Sequence, residues 1–164
     1  MRASCATTYR RAPGPGARDD RRVVLLVVHL TAVAYLTGLV WVVQLVVYPG
    51  FRGVGPTAAW PAFHDAHGRA MALAVVVPWA AQGVTLALLL LDRPAGVPRP
   101  LVLLAAALGL ATALVTVLSS VPLHGRLQPY DAALAGRLLA TNWLRTAAWT
   151  GGAACAAAMV LTAA

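Results

Sequence analysis

The residues from Val23 to Tyr48, VVLLVVHLTAVAYLTGLVWVVQLVVY, run for 26 positions without a charge. At 1.5 Å of rise per residue, such a helix reaches about 39 Å, longer than the ~30 Å hydrocarbon core of a bilayer. A stretch apolar on every face finds no burial in a soluble chain this small. Pro49 and Gly50 then stop the run. A signal peptide is the competing reading, because Arg21 and Arg22 precede it. Signal peptides, however, carry apolar regions of only ~7–15 residues, and no small-x-small cleavage site follows here. The stretch is therefore read as a retained first membrane helix.

Working outward, three more apolar runs follow, at about 70–91, 101–121 and 146–164. Asp92, Arg93 and Pro94 end the second, which carries Pro78 as a kink, and Pro122 ends the third. Upstream of Val23 the chain is polar, and Ala12-Pro13-Gly14-Pro15-Gly16 breaks helices, so residues 1–22 are expected to form a disordered cytoplasmic tail. Before the last run, Leu127, Tyr130, Leu134 and Leu138 recur at helical spacing. This predicts a short amphipathic helix at the membrane interface, with Asp131 as its N-cap. The expected fold class is all-α: a four-transmembrane-helix bundle over 23–164, with spans at about 23–48, 70–91, 101–121 and 146–164. Gly151-Gly152-Ala153-Ala154, and Gly109 with Ala113, provide small surfaces for close helix approach.

Composition agrees. Hydrophobic residues make up 60% and charged residues 11%, against ~45–50% and ~25% in soluble domains. That balance excludes an ordinary soluble domain, and equally a disordered chain. All 13 basic residues are Arg and all five acids are Asp, giving a net charge of +8. The arginines are scattered between apolar runs and form no stripe, so no nucleic acid is expected as partner. Eight of them, Arg2, Arg10, Arg11, Arg18, Arg21, Arg22, Arg93 and Arg99, fall on the side of the N-terminus. Five, Arg52, Arg69, Arg126, Arg137 and Arg145, fall on the other. The excess predicts a multi-pass protein of the plasma membrane with both termini in the cytoplasm.

Several function classes are excluded. Cys5 and Cys155 form no C-x-x-C pair, which removes dithiol exchange. Without Lys there is no Walker motif, and without Glu neither H-E-x-x-H nor a carboxylate-bridged di-iron site. No Asp lies within a span, which argues against a proton-coupled antiporter. Ser119-Ser120 lacks a nucleophile-elbow context.

With four spans, the first and third connections share a membrane face, and the polar residues gather there. Gln44 and Tyr48 end span one; Phe63, His64, Asp65, His67 and Arg69 precede span two; His124 and Arg126 follow span three. Asn142, Trp143, Arg145, Thr146 and Trp149 open span four. His64, His67 and His124 are the candidate catalytic residues, and Gln44, Tyr48, Asn142 and Arg145 the candidate substrate-binding residues. His64-x-x-His67 shares one helix face, so with His124 it could ligate a transition metal, zinc, copper or iron. The other reading is interfacial or substrate-binding imidazoles. Haem is not expected, because His29 lies toward the opposite face. Gln44 and Gln82 are read as interhelical glue, with substrate contact as the alternative for Gln44. Arg145 is either an interfacial anchor or turned inward on a carboxylate, phenolate or quinone oxygen. Tyr35, Trp41 and Trp79 are read as packing or belt aromatics.

Four segments carry a family resemblance: Gln44-Leu45-Val46-Val47-Tyr48-Pro49-Gly50-Phe51, Phe63-His64-Asp65-Ala66-His67, Val121-Pro122-Leu123-His124-Gly125-Arg126-Leu127, and Thr141 through Thr150. Together they resemble a group of uncharacterised bacterial four-helix integral membrane proteins. More distantly, they resemble the anthrone-oxygenase-type family. The resemblance implies a four-helix bundle, and for the distant relatives the oxidation of an anthrone to an anthraquinone by molecular oxygen. The function expected is thus a small oxidoreductase or oxygenase-like protein acting on a lipophilic aromatic or quinone-like substrate. The alternative is a non-enzymatic accessory, binding or transport subunit. The partners expected are the lipid bilayer and a lipophilic small molecule.

Overall fold

The computed structural model describes residues 15–163. The expected disorder of residues 1–14, and Cys5 with them, lie outside the described residues, as does Ala164. Six α-helices follow in order: α1 (Pro15–Val42), α2 (Tyr48–Val54), α3 (Trp60–Leu91), α4 (Arg99–Val115), α5 (Val121–Gly125) and α6 (Ala132–Ala163). Two wider π-helical turns, Val43–Val47 and Thr116–Ser120, join α1 to α2 and α4 to α5. The elements form four rods, Asp20–Val54, Trp60–Leu91, Arg99–Gly125 and Ala132–Ala163, each long and apolar enough to cross a membrane. This is the four-helix architecture of a multi-pass membrane protein. Large apolar side chains face outward along the rods, as with Leu73 at 78% exposure and Leu118 at 72%. Lipid covers such side chains without cost, whereas water does not.

Two boundaries differ from the sequence expectation. The first helix begins at Pro15, so 15–22 are helical rather than part of the tail. A proline at the first helical position gives up an N–H that has no partner there in any case. Of the segment expected to be a separate interfacial helix, Leu134 and Leu138 are helical but belong to the same rod as span four, α6, whereas Leu127 and Tyr130 lie in the non-helical connection before it. Asp131 caps this rod, its Oδ1 accepting from the Leu134 N–H at 2.9 Å.

Both π-helical turns have the same local cause. The N–H of Tyr48 bonds Val43 O and that of Val121 bonds Thr116 O, five residues back, and the next residue in each case is a proline, Pro49 or Pro122. A proline ring clashes with the carbonyl four residues earlier and offers it no hydrogen. Widening the preceding turn relieves that clash without breaking the rod.

Helix α6 is central, packing against both α1 and α4, while α3 packs mainly on α1 and meets α4 less extensively. Gly151 faces Leu108 of α4 and Gly152 faces Val33 of α1, so adjacent small residues admit both neighbours. Three apolar layers fill the bundle. Leu26, Leu89, Val102 and Met159 form the layer at the chain-terminal face, Leu36, Val40 and Trp149 the middle one. Phe51, Trp60, Leu127 and Leu138 belong to the third, which is rich in aromatic rings. That third layer supports the polar cluster described next.

Candidate functional site, a histidine and arginine cavity

The first and third connections do share a face, because side chains flanking them meet. His64 Nε2 lies 3.1 Å from His124 Nδ1, and His124 Nε2 lies 3.1 Å from the Tyr48 hydroxyl. Each group stands on a different rod. Tyr48 follows the first π-helical turn and His124 follows the second, so two proline-associated distortions aim the pair at each other. His64 and His67 occupy the N-terminal part of α3, which begins ten residues earlier than the second span was expected to start. Their three-residue spacing puts both on the face toward His124. The His64 and His67 rings stack on His124 at centroid distances of 5.3 and 5.7 Å. Phe51, Trp60 and Tyr130 wedge the cluster: Trp60 packs on His64 at 4.9 Å, and Phe51 meets His67 edge-on at 5.2 Å.

These histidines border a cavity of about 310 Å³. Tyr48, His64, His67, His124 and Arg145 give it a polar wall, and Val43, Met71, Val75 and Val121 an apolar one. The cavity lies between α3 and the π-helical turn with α5, where Gly68 and Ala72 leave room. The bundle is least closed on that flank, since α3 and α4 pack less extensively than α1 with α3, α1 with α6 or α4 with α6.

Arg145 is the unusual group. It stands well inside α6 and is only 9% exposed, not at the start of a membrane helix. The anchoring reading therefore gives way to the inward one. One guanidinium nitrogen donates to Ser120 Oγ at 3.2 Å, and the guanidinium carbon lies 5.2 Å from the centre of the Trp149 ring. Its Nε is buried without a hydrogen-bond partner. Among the described residues no carboxylate pairs with it; the ion pair Arg22–Asp92 lies at the opposite face.

Gln44 and Asn142 do not line the cavity. They form a buried clasp beside it, with Asn142 Nδ2 donating to Gln44 Oε1 at 2.8 Å and Gln44 Nε2 donating to Leu139 O at 3.4 Å. The expected substrate contacts at Gln44 and Asn142 are therefore replaced by interhelical glue. An amide inside a span is satisfied best by another amide across the helix interface. Gln82 behaves alike, accepting from Trp149 Nε1 at 3.1 Å, and His29 pairs with Thr85 at 2.9 Å, away from the site.

The metal reading of His64, His67 and His124 does not fit. Both ring nitrogens of His64 and both of His124 take part in hydrogen bonds. A nitrogen so engaged has no lone pair to give a metal while that bond is kept. Among the described residues no group of three or more His, Cys, Asp or Glu could hold a metal ion. His67 has no hydrogen-bonding partner of its own among the described residues and lines the cavity.

Two site residues were not foreseen. Ser120, set aside as a nucleophile, is a ligand of Arg145. Gln128, in the connection before α6, donates from Nε2 to Asp65 Oδ1 at 2.8 Å and sits 3.2 Å from His64 Nδ1. Only its place one residue after an apolar anchor, Leu127, could have pointed to it. The site thus joins a buried cation, a tyrosine hydroxyl and three imidazoles beside a cavity with one apolar wall. No family model, curated protein or solved structure matches the chain.

Proposed function

We propose that this protein is a small oxidoreductase or oxygenase-like enzyme of the plasma membrane, with both termini cytoplasmic, acting on a lipophilic aromatic or quinone-like substrate. One observation carries the reading: Arg145 is buried in the cavity without a carboxylate and with an unpartnered Nε. Burying a lone cation costs several kcal/mol. A ligand oxygen that carries or develops negative charge offsets that cost, and a guanidinium holds such an oxygen well. The apolar wall of Val43, Met71, Val75 and Val121 suits an aromatic ring system that arrives through the bilayer.

His67, with both ring nitrogens uncommitted, takes the proton from a phenol or from a carbon beside an aryl ketone. The resulting charge spreads onto the oxygen beside Arg145. For an anthrone-like substrate, molecular oxygen then oxidises the methylene carbon to a ketone: one oxygen atom enters the carbon and the other leaves as water. Arg145 and His67 account for binding and proton removal, and oxygen is the oxidant.

The test is turnover by the purified protein in lipid nanodiscs. Anthrone is supplied in air, and both oxygen consumption and the absorbance of the quinone product are followed. The reading predicts a rate above protein-free nanodiscs that His67→Ala lowers at least a hundredfold. Saturable binding with no turnover would overturn it in favour of a binding subunit.

A further inference from the structure

The hydrogen bonds between Gln128 and Tyr48 have a direction. Gln128 Nε2 faces Asp65 Oδ1 at 2.8 Å and Pro61 O at 3.4 Å. Neither a carboxylate nor a peptide carbonyl has a hydrogen to give, so the atom facing them must be the donating NH₂ of the amide. The same nitrogen lies 3.2 Å from His64 Nδ1, which therefore accepts. A neutral imidazole that accepts on one nitrogen carries its proton on the other. His64 Nε2–H then donates to His124 Nδ1, and His124 Nε2–H donates to the Tyr48 oxygen. With its oxygen already accepting, the Tyr48 hydroxyl has its own hydrogen left for the cavity it lines.

We propose that Tyr48 delivers a proton into the cavity and that Gln128, at the other end of the histidine pair, sets this direction. The relay crosses from the exposed side chains of Asp65, on α3, and Gln128, in the connection before α6, to the buried wall at Tyr48. In the transfer, the Tyr48 O–H bond breaks and a hydrogen–oxygen bond forms on the ligand. His124 loses its Nε2 proton to Tyr48 and gains one at Nδ1 from His64. His64 loses its Nε2 proton and gains one at Nδ1 from interfacial water as the Gln128 amide moves aside. One proton enters and one leaves, with no change of oxidation state. Gln128 touches no ligand; it acts as a positioning residue through His64 and His124. The proposal rests on the function above and deepens it by naming the group that supplies a proton to the oxygen atom that leaves the substrate as water.

The test needs no ligand, so it stands or falls separately from the binding reading. Histidine is labelled with ¹⁵N, and the tautomers of His64 and His124 are read by NMR on the full protein in lipid bilayers. Both rings are expected to carry the proton on Nε2. In Gln128→Glu the carboxylate accepts from His64 Nδ1–H, and both rings are expected to switch to the Nδ1–H form together. In Gln128→Leu the direction is released, and both rings are expected to show mixed tautomers; this variant decides the matter should the glutamate variant not fold. An Nδ1 proton on either ring of the unaltered protein would overturn the proposal. So would a variant that changes His64 and leaves His124 as it was.

Discussion

Arg145 shows most clearly what the local sequence could and could not convey. Placed after Trp143 at the edge of an apolar run, it reads as an anchor. It turns inward only because α6 extends back to Ala132 and carries it inside the bundle. Hydropathy averages over a window and does not register a polar group whose partners, here Ser120 and Trp149, sit on other turns or other rods. The same blindness covers Gln44 and Asn142, whose mutual bond removes them from the cavity. The histidines were legible because spacing alone places His64 and His67 on one face, and four spans place His124 on the same side. Two predictions belong at this scale. Tyr48→Phe keeps the ring packed between Phe51 and His124 but removes the hydroxyl, so turnover falls ~10²–10⁴-fold while ligand affinity changes little, as steady-state and binding measurements would show. Gln44→Leu and Asn142→Leu form a double-mutant cycle. Unfolding in mixed detergent micelles should give a coupling of ~0.6–1.7 kcal/mol, the range for hydrogen bonds between membrane helices.

At the scale of the element, prolines and glycines do work that periodicity hides. Pro49 and Pro122 read as stops, yet neither ends its rod, because the wide turns before them absorb the missing hydrogen bond. Those turns also aim Tyr48 and His124. Pro122→Ala restores an N–H and lets the turn tighten, which rotates His124 off its partners. Ligand binding should weaken at least tenfold while the unfolding free energy moves by less than about 1 kcal/mol. Gly151 is a tighter site, since a Cβ there would lie 3.1 Å from Leu108 Cδ1. Gly151→Val should destabilise the bundle by ~1–3 kcal/mol through overpacking between α4 and α6. Gly38→Ala, with nothing within 4 Å of the added atom, is the neutral control in the same unfolding assay. The small-residue run was visible in the sequence; that its two glycines serve two different neighbours depends on the central place of α6.

For the whole molecule, four apolar rods put the connections at 55–59 and 126–131 on one face, and the orientation proposed above, with both termini cytoplasmic, has that face outside the cell. In a variant lacking Cys5 and Cys155, Asp131→Cys should react with an impermeant maleimide added to intact cells, and Asp92→Cys only after the membrane is opened. The cavity opens between α3 and α5, among apolar side chains, and its polar end adjoins the exposed connection that carries Gln128. The account rests on the buried, acid-free guanidinium being there to receive a ligand oxygen. Its most direct test is a titration of the protein in nanodiscs with a short-chain naphthoquinone, followed by tryptophan fluorescence, in the unaltered protein and in Arg145→Gln. The account predicts saturable quenching that weakens at least tenfold in the variant, with the unfolding midpoint showing both proteins folded. Equal affinity in two folded proteins, or no saturable quenching in the unaltered one, would contradict it.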